Sequence, residues 1–117
     1  MTYRQFDVVV VPFPFTDVEA FKRRPALVLS ADQTFNSLVG HSVMAMITTA
    51  SHSAWALDVE ITDLTLAGLK NPSIVRMKLS TLDHTLVRKQ IGRLREADQS
   101  AVIASLTSLL AFNLNSV

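Results

Sequence analysis

The chain reads as a mainly β domain, a small barrel-like sheet with helical additions and a C-terminal helix, and three observations predict it. Short β-branched or alternating apolar segments recur along most of the chain, separated by turn residues. The first, Asp7 to Phe13, is a valine run stopped by Pro12 and Pro14. From Asp98 onward the apolar spacing becomes helical, with Val102, Ile103, Leu106, Leu109 and Leu110 on one stripe. At 117 residues and 49% hydrophobic content, one domain over residues 1–117 with a real core is expected, and a second would not fit.

Each element follows from its own residues. Val8 to Val11 predict a buried, central strand that Pro12 and Pro14 lead into a loop. Pro14 to Arg23 is polar, runs into cations and predicts an exposed connection of the kind that covers a site. Arg24 to Ser30 reads as a second strand with Pro25 at its start, where a missing N–H is tolerated, so Arg24 sits at a strand mouth. Asp32 to Leu38 predicts a turn or a single helical turn, and Val43 to Ile47 a third strand ending in the hydroxyls of Thr48 and Thr49. After a turn at Ser51 to Ser53, Trp55 to Ile61 alternates, with Asp58 and Glu60 on the polar face. That pattern predicts a half-buried strand in a hairpin with the third. Gly68 to Pro72 is a turn, Ser73 to Met77 a short strand, and Gly92 a kink or bulge near the last strand of a strongly curved sheet. The helix from Asp98 is expected to pack its stripe on that sheet. Met44, Met46 and Trp55 fall on strand patterns and read as core or hairpin packing rather than as a base-stacking surface.

Composition narrows the chemistry. There is no cysteine, which removes disulfides, thiolate metal sites and Cys nucleophiles together. No pair of His or carboxylate residues has metal-ligand spacing, so neither a metal nor a cofactor is expected. No segment resembles a secretory signal, and the apolar run Val8 to Phe15 is short and interrupted by prolines, which predicts a cytoplasmic chain without a membrane partner. Net charge is only +1, but from Lys70 to Arg95 seven cations stand against the single anion Asp83, and Lys22, Arg23 and Arg24 form a second focus. Such clusters are either a solvated face or a phosphate-binding surface, and charge alone leaves both open.

Five segments, taken together and in order, decide more. They are Asp7-Val-Val-Val-Val-Pro-Phe-Pro-Phe-Thr-Asp17, Lys22-Arg-Arg-Pro-Ala-Leu-Val-Leu-Ser30, Ile47-Thr48-Thr49, Gly68-Leu-Lys-Asn-Pro-Ser-Ile-Val-Arg76 and Ser80-Thr-Leu-Asp83. In this order and spacing the chain resembles the MazF/PemK family of toxins over nearly its whole length. The resemblance implies an SH3-like small β-barrel, a homodimer, a cognate antitoxin, and metal-independent, sequence-selective cleavage of single-stranded RNA. Two positions depart from the family pattern. Phe6 stands where relatives carry Gly before the first strand's Asp, which predicts an altered turn or a packing role against a dimer partner. Relatives read Arg, apolar, Asp, Lys, Leu where this chain reads Arg76-Met77-Lys78-Leu79, without the acidic residue that some members use as a base.

The resemblance assigns roles residue by residue. Metal-free cleavage uses the 2'-OH as nucleophile, so the protein must stabilise charge on phosphorus and hold the in-line geometry. Arg24 matches the family's catalytic arginine, and its planar fork suits two phosphate oxygens; the competing reading is a surface ion pair. Thr48 takes the hydroxyl role, against ordinary strand propensity. Arg76, Thr49 and His52 are further candidates for catalysis or phosphate binding, and Lys22, Arg23 and Lys78 for RNA binding. His41 and His84 read as structural or surface groups. Two rivals remain: a toxin fold that binds without cutting, and a poison of DNA gyrase acting by protein contact. The ending Phe112-Asn-Leu-Asn-Ser-Val117 lacks the aromatic terminus that gyrase poisons use.

Overall fold

A computed structural model describes residues 2–13, 22–51 and 54–112. Among these residues six strands form one antiparallel sheet: β1 (Asp7–Phe13), β2 (Lys22–Val28), β3 (His41–Thr49), β4 (Val59–Glu60), β5 (Ser73–Asp83) and β6 (Lys89–Arg93). Their order is β4-β5-β3-β2-β1-β6. A π-helical turn, Asp32–Asn36, runs into α1 (Ser37–Val39); α2 (Leu64–Ala67) follows β4, a 3-10 turn (His84–Leu86) follows β5, and α3 (Glu96–Leu110) is the last element among the described residues. The valine run is flanked on both sides, by β2 and β6, but stands next to the sheet's edge rather than at its centre.

Strand alternation sends the apolar residues to two cores, one on each side of the sheet. Val8, Leu27, Ala45, Ile47 and Val75 point to the side that α2 and α3 cover, where Ala67 and Val102 meet them. Val9, Val11, Ala26, Val28 and Met44 point to the other, where Leu82 completes the cluster. Curvature closes the first core. Although β4 and β6 lie at opposite ends of the strand order, α2 rests against β6: a Cβ on Gly92 would run into the backbone of Leu66 and Ala67, and one on Gly68 into Ile91. Only glycine permits that approach. The kink expected at Gly92 is present as a register shift, because Val8 pairs with Gly92 while Val9 pairs with Gln90. The sheet thus curls into a half-barrel with a C-terminal helix.

Four expectations need correction. β2 starts at Lys22 and ends at Val28, not Arg24 to Ser30, so Pro25 is its fourth residue and Arg24 lies within the β1–β2 ladder rather than at a strand mouth. Trp55 to Ile61 is not one strand in a hairpin with the third: only Val59–Glu60 is extended, and it pairs with β5. Leu57 takes φ 70 and Asp58 N–H donates to the Trp55 carbonyl at 3.3 Å, so the first half of the segment is a turn. β5 runs past Met77 to Asp83 because two extra residues, Met77 and Lys78, are accommodated between Arg76 opposite Met46 and Leu79 opposite Ala45. An insertion of two keeps the alternation in phase. Finally, the helical stripe is not a packed face. Val102 is buried and Leu106 half-buried, but Ile103 is 52% exposed and Leu110 53%, with Leu109 exposed beside them. Docking of α3 relies instead on its first turn, where buried Asp98 accepts hydrogen bonds from Thr62 N–H (2.9 Å) and Thr62 Oγ1 (2.8 Å).

Phe6 shows why a glycine suits its position. It sits at φ 69, where a β-carbon is crowded, and its N–H and carbonyl bridge Val28 (2.7 Å) and Leu94 (3.0 Å). The ring packs against the chain's own core.

Candidate functional site

The β2–β3 ladder carries Ala26 opposite Met46, Leu27 opposite Ala45 and Val28 opposite Met44. Continued by two residues, the same register would set Arg24 across from Thr48 and Pro25 across from Ile47. No pairing extends that far, and Pro25 has no N–H to continue it. Where the two strands part, a cavity of about 310 Å³ opens, with Lys22, Arg23 and Arg24 on one wall, Thr48 and Thr49 on the other, and Ser73 of β5 beside them. Five of the eight site residues expected from the sequence therefore meet in one cleft. Arg24 and Thr48 are half-buried, whereas Lys22, Arg23 and Thr49 are exposed. Alternation puts Arg24 on the same face as Ala26, hence as Met46 and Thr48. Arg23 falls on the opposite face, as expected, yet still reaches the cavity because the cavity lies at the strands' end.

Arg76 lies on that same face, one row along: it pairs with Met46, two residues from Thr48. It is not among the cavity's lining residues. Its Nε and Nη2 donate to Asp58 at 3.2 and 3.1 Å in a bidentate ion pair whose side chains are only 12% and 13% exposed. Burial pulls the Asp58 carboxyl upward, but the Arg76 hydrogen bond, the Trp55 N–H and the Arg76 charge together outweigh it and hold the group below its ordinary value. Trp55 lies over this pair, its ring centroid 5.1 Å from the Arg76 guanidinium carbon and 6.0 Å from Lys78 Nζ. The indole is 49% exposed, so it is neither core nor strand packing. Met44 and Met46 are buried, as their pattern indicated.

The remaining candidates separate. His52 lies outside the described residues. His41 pairs with Asp83 at 3.7 Å, and His84 hydrogen-bonds buried Ser42 at 2.7 Å, both away from the cleft's lining. The cations from Lys70 to Arg95 do not make one surface, because Arg76 and Lys78 are on β5 and Arg93 on β6, with three strands between them in the sheet order, and Arg93 is tied to buried Asp7 at 2.9 Å. Among the described residues no group of three or more His, Cys, Asp or Glu side chains is arranged to hold a metal ion.

Sequence reasoning gives Asp58 and Ser73 no functional role and reads Trp55 as packing, which its exposure contradicts. Asp58 and Glu60 look equivalent on an alternating strand, and only the turn at Leu57 lets one of them reach a guanidinium 18 residues away.

Comparison with known proteins agrees with this architecture. MazF of Deinococcus radiodurans superposes with a TM-score of 0.74 at 23% identity, covering 96% of this chain and 99% of that one. A MazE–MazF structure from the same organism gives 0.73 at 22% identity, covering 97% and 99%. An endoribonuclease in complex with its cognate antitoxin from a mycobacterial species gives 0.72 at 15% identity, covering 95% and 97%. At these identities the likeness establishes the fold. No curated protein sequence matches the chain, and no helix among the described residues is long and apolar enough to cross a membrane. The family model of the PemK-like, MazF-like toxins of type II toxin-antitoxin systems matches residues 4–110, and the chain belongs to that family.

Proposed function

We propose that this toxin is an endoribonuclease that cuts single-stranded RNA at short sequence motifs without a metal, leaving 2',3'-cyclic phosphate and 5'-OH ends. The observation that carries the reading is the cleft where β2 and β3 part, with Arg24 and Thr48 on facing walls and two more cations at its rim. In the reaction the 2'-oxygen attacks its own phosphorus, the bond to the 5'-oxygen breaks, the 2'-OH proton is given up, and the departing 5'-oxygen takes one. Arg24 stabilises the extra negative charge on the phosphorane with a fork that stays protonated. Thr48 hydrogen-bonds the 2'-oxygen or a phosphate oxygen and holds the line of attack. Thr49 is a second hydroxyl at the same wall, His52 the candidate for proton transfer, and Lys22 and Arg23 draw in the backbone. Arg76 adds positive charge one row along from the cleft, with its Nε and Nη2 held by Asp58.

The toxin acts as a homodimer in the cytoplasm and is neutralised by a cognate antitoxin. Support comes from the exposed apolar side of α3, where Ile103 and Leu110 stand in solvent with Phe112 just beyond the helix, and from neighbours solved as MazE–MazF and as an endoribonuclease with its cognate antitoxin.

A second reading, a toxin fold that binds RNA or antitoxin without cutting, is favoured by two observations: Arg76's Nε and Nη2 are engaged by a carboxylate, and β5 lacks the acidic residue that the resemblance leads one to expect after Arg76. Incubating purified protein with a long single-stranded RNA in EDTA and mapping the ends decides between them. Discrete cuts with cyclic phosphate ends are expected. Cleavage that disappears in EDTA and returns with magnesium overturns the mechanism, and binding without cuts moves the second reading ahead.

A further inference from the structure

The cluster beside the cleft is built as a device for presenting an aromatic ring. Asp58 receives the Trp55 N–H at 2.8 Å on Oδ2 and returns its own N–H to the Trp55 carbonyl at 3.3 Å. Leu57 is held at φ 70, a conformation a branched side chain adopts only when its surroundings impose it. Arg76, clamped by the same carboxylate, lies against the indole. A largely buried ion pair, a strained turn and a cation–π contact thus converge to hold one tryptophan in place, and the tryptophan is left half in water. A ring needed only for packing would be covered.

We propose that Trp55 is the stacking platform for one nucleobase of the bound single strand, with Lys78 receiving a neighbouring phosphate. The proposal rests on the RNA-cleaving reading above and deepens it. Position supports it. Arg76, beneath the indole, and Thr48, at the cleft, share one face of adjacent strands two residues apart, about 7 Å along the strand. A strand with its scissile phosphate between Arg24 and Thr48 would bring an adjacent base over Trp55. Chemistry supports it too: every base has a π-face, the indole is the largest aromatic side chain, and exposed Lys78 stands 6.0 Å from its centroid to meet a backbone charge. Asp58 is the positioning residue, acting only through Trp55 and Arg76.

Trp55 is the chain's only tryptophan, so intrinsic fluorescence reports this position alone. The test titrates the full chain with mixed-sequence 2'-O-methyl RNA oligonucleotides, which cannot be cut because the nucleophile is blocked, and with a base-free phosphodiester of equal length. Saturable quenching by the oligonucleotides, and little by the base-free chain, is expected. Trp55→Ala should weaken oligonucleotide binding by about fivefold to a hundredfold, Trp55→Phe should keep most of it, and neither should change binding of the base-free chain. Asp58→Asn should lower affinity for the oligonucleotides but not for the base-free chain, which a purely structural role would not do. Oligonucleotide binding with unchanged fluorescence, and with Trp55→Ala equal to the parent, overturns the platform while leaving RNA recognition standing. Stacking by a protein that never cuts RNA sinks the cleavage mechanism alone, and failure to bind any oligonucleotide sinks both.

Discussion

Arg24 is the most direct point of attack on the proposed mechanism. Its backbone lies in the β1–β2 ladder opposite Val11, and its half-buried side chain reaches the cleft on the face it shares with Thr48. Removing one preorganised charge-stabilising donor costs about a hundredfold to a thousandfold in rate, or about 2.7–4 kcal/mol of transition-state stabilisation. Arg24→Ala should lose that much under single-turnover conditions. Stability should move by only about 0.5 kcal/mol, since the ladder is main-chain and no core volume is deleted. Arg24→Lys should recover part of the rate, because a point charge replaces the fork. Arg23 is the internal control: it also lines the cleft, but it is exposed and on the opposite face. Arg23→Ala should weaken binding in a salt-dependent manner, reducing the salt slope by about 0.7 if it meets one phosphate of a single strand. Thermal melts run beside the kinetics exclude unfolding. Small and equal effects at the two positions would show that Arg24 is only part of a basic rim, and the mechanism would fail.

Two further outcomes follow from the geometry. Leu110 is half exposed in the isolated chain, so Leu110→Glu should leave the melting temperature of the monomer nearly unchanged while shifting light-scattering mass from dimer toward monomer; a dimer that ignores the charge would place the interface elsewhere. Burial, reinforced by the charge of His41 and opposed by that of Asp83, lowers the His84 pKa, so the unfolded chain takes up the proton first and stability should fall as pH drops below about 6.5; His84→Gln should flatten that part of a urea-midpoint profile, and an unchanged slope would refute the assignment.

The sheet was legible wherever one strand's own residues decide its state. The valine run and the hydroxyl end of β3 are local signals, whereas the start of β2 was legible only in part: the strand begins at Lys22, two residues before the expected Arg24, and Pro25 lies inside it. What escaped is set by residues distant in sequence. Trp55 to Ile61 alternates convincingly, yet positive φ at Leu57 turns its first half away from the sheet, and no pattern in one dimension carries a backbone angle. The α3 stripe has a helix's period, but period does not say what covers a face; here Asp98 and Val102 are buried while Ile103, Leu109 and Leu110 stay exposed.

The missing acid on β5 has a physical counterpart elsewhere. A guanidinium only 12% exposed needs a carboxylate or a route to water, because an uncompensated charge at that depth is costly. With Met77 and Lys78 following Arg76 directly, β5 carries no such carboxylate beside it, and Asp58 supplies one from the turn before β4. The same carboxylate then fixes Trp55 through its main-chain N–H. Asp58 therefore does more than pair: it couples Arg76 to a turn that displays an aromatic ring. A carboxylate locked to a guanidinium at 3.1 Å and held below its ordinary pKa is a poor proton acceptor. In the proposed mechanism Asp58 is therefore suited to positioning rather than to taking the 2'-OH proton, and that mechanism puts its weight on the Arg24 and Thr48 walls of the cleft.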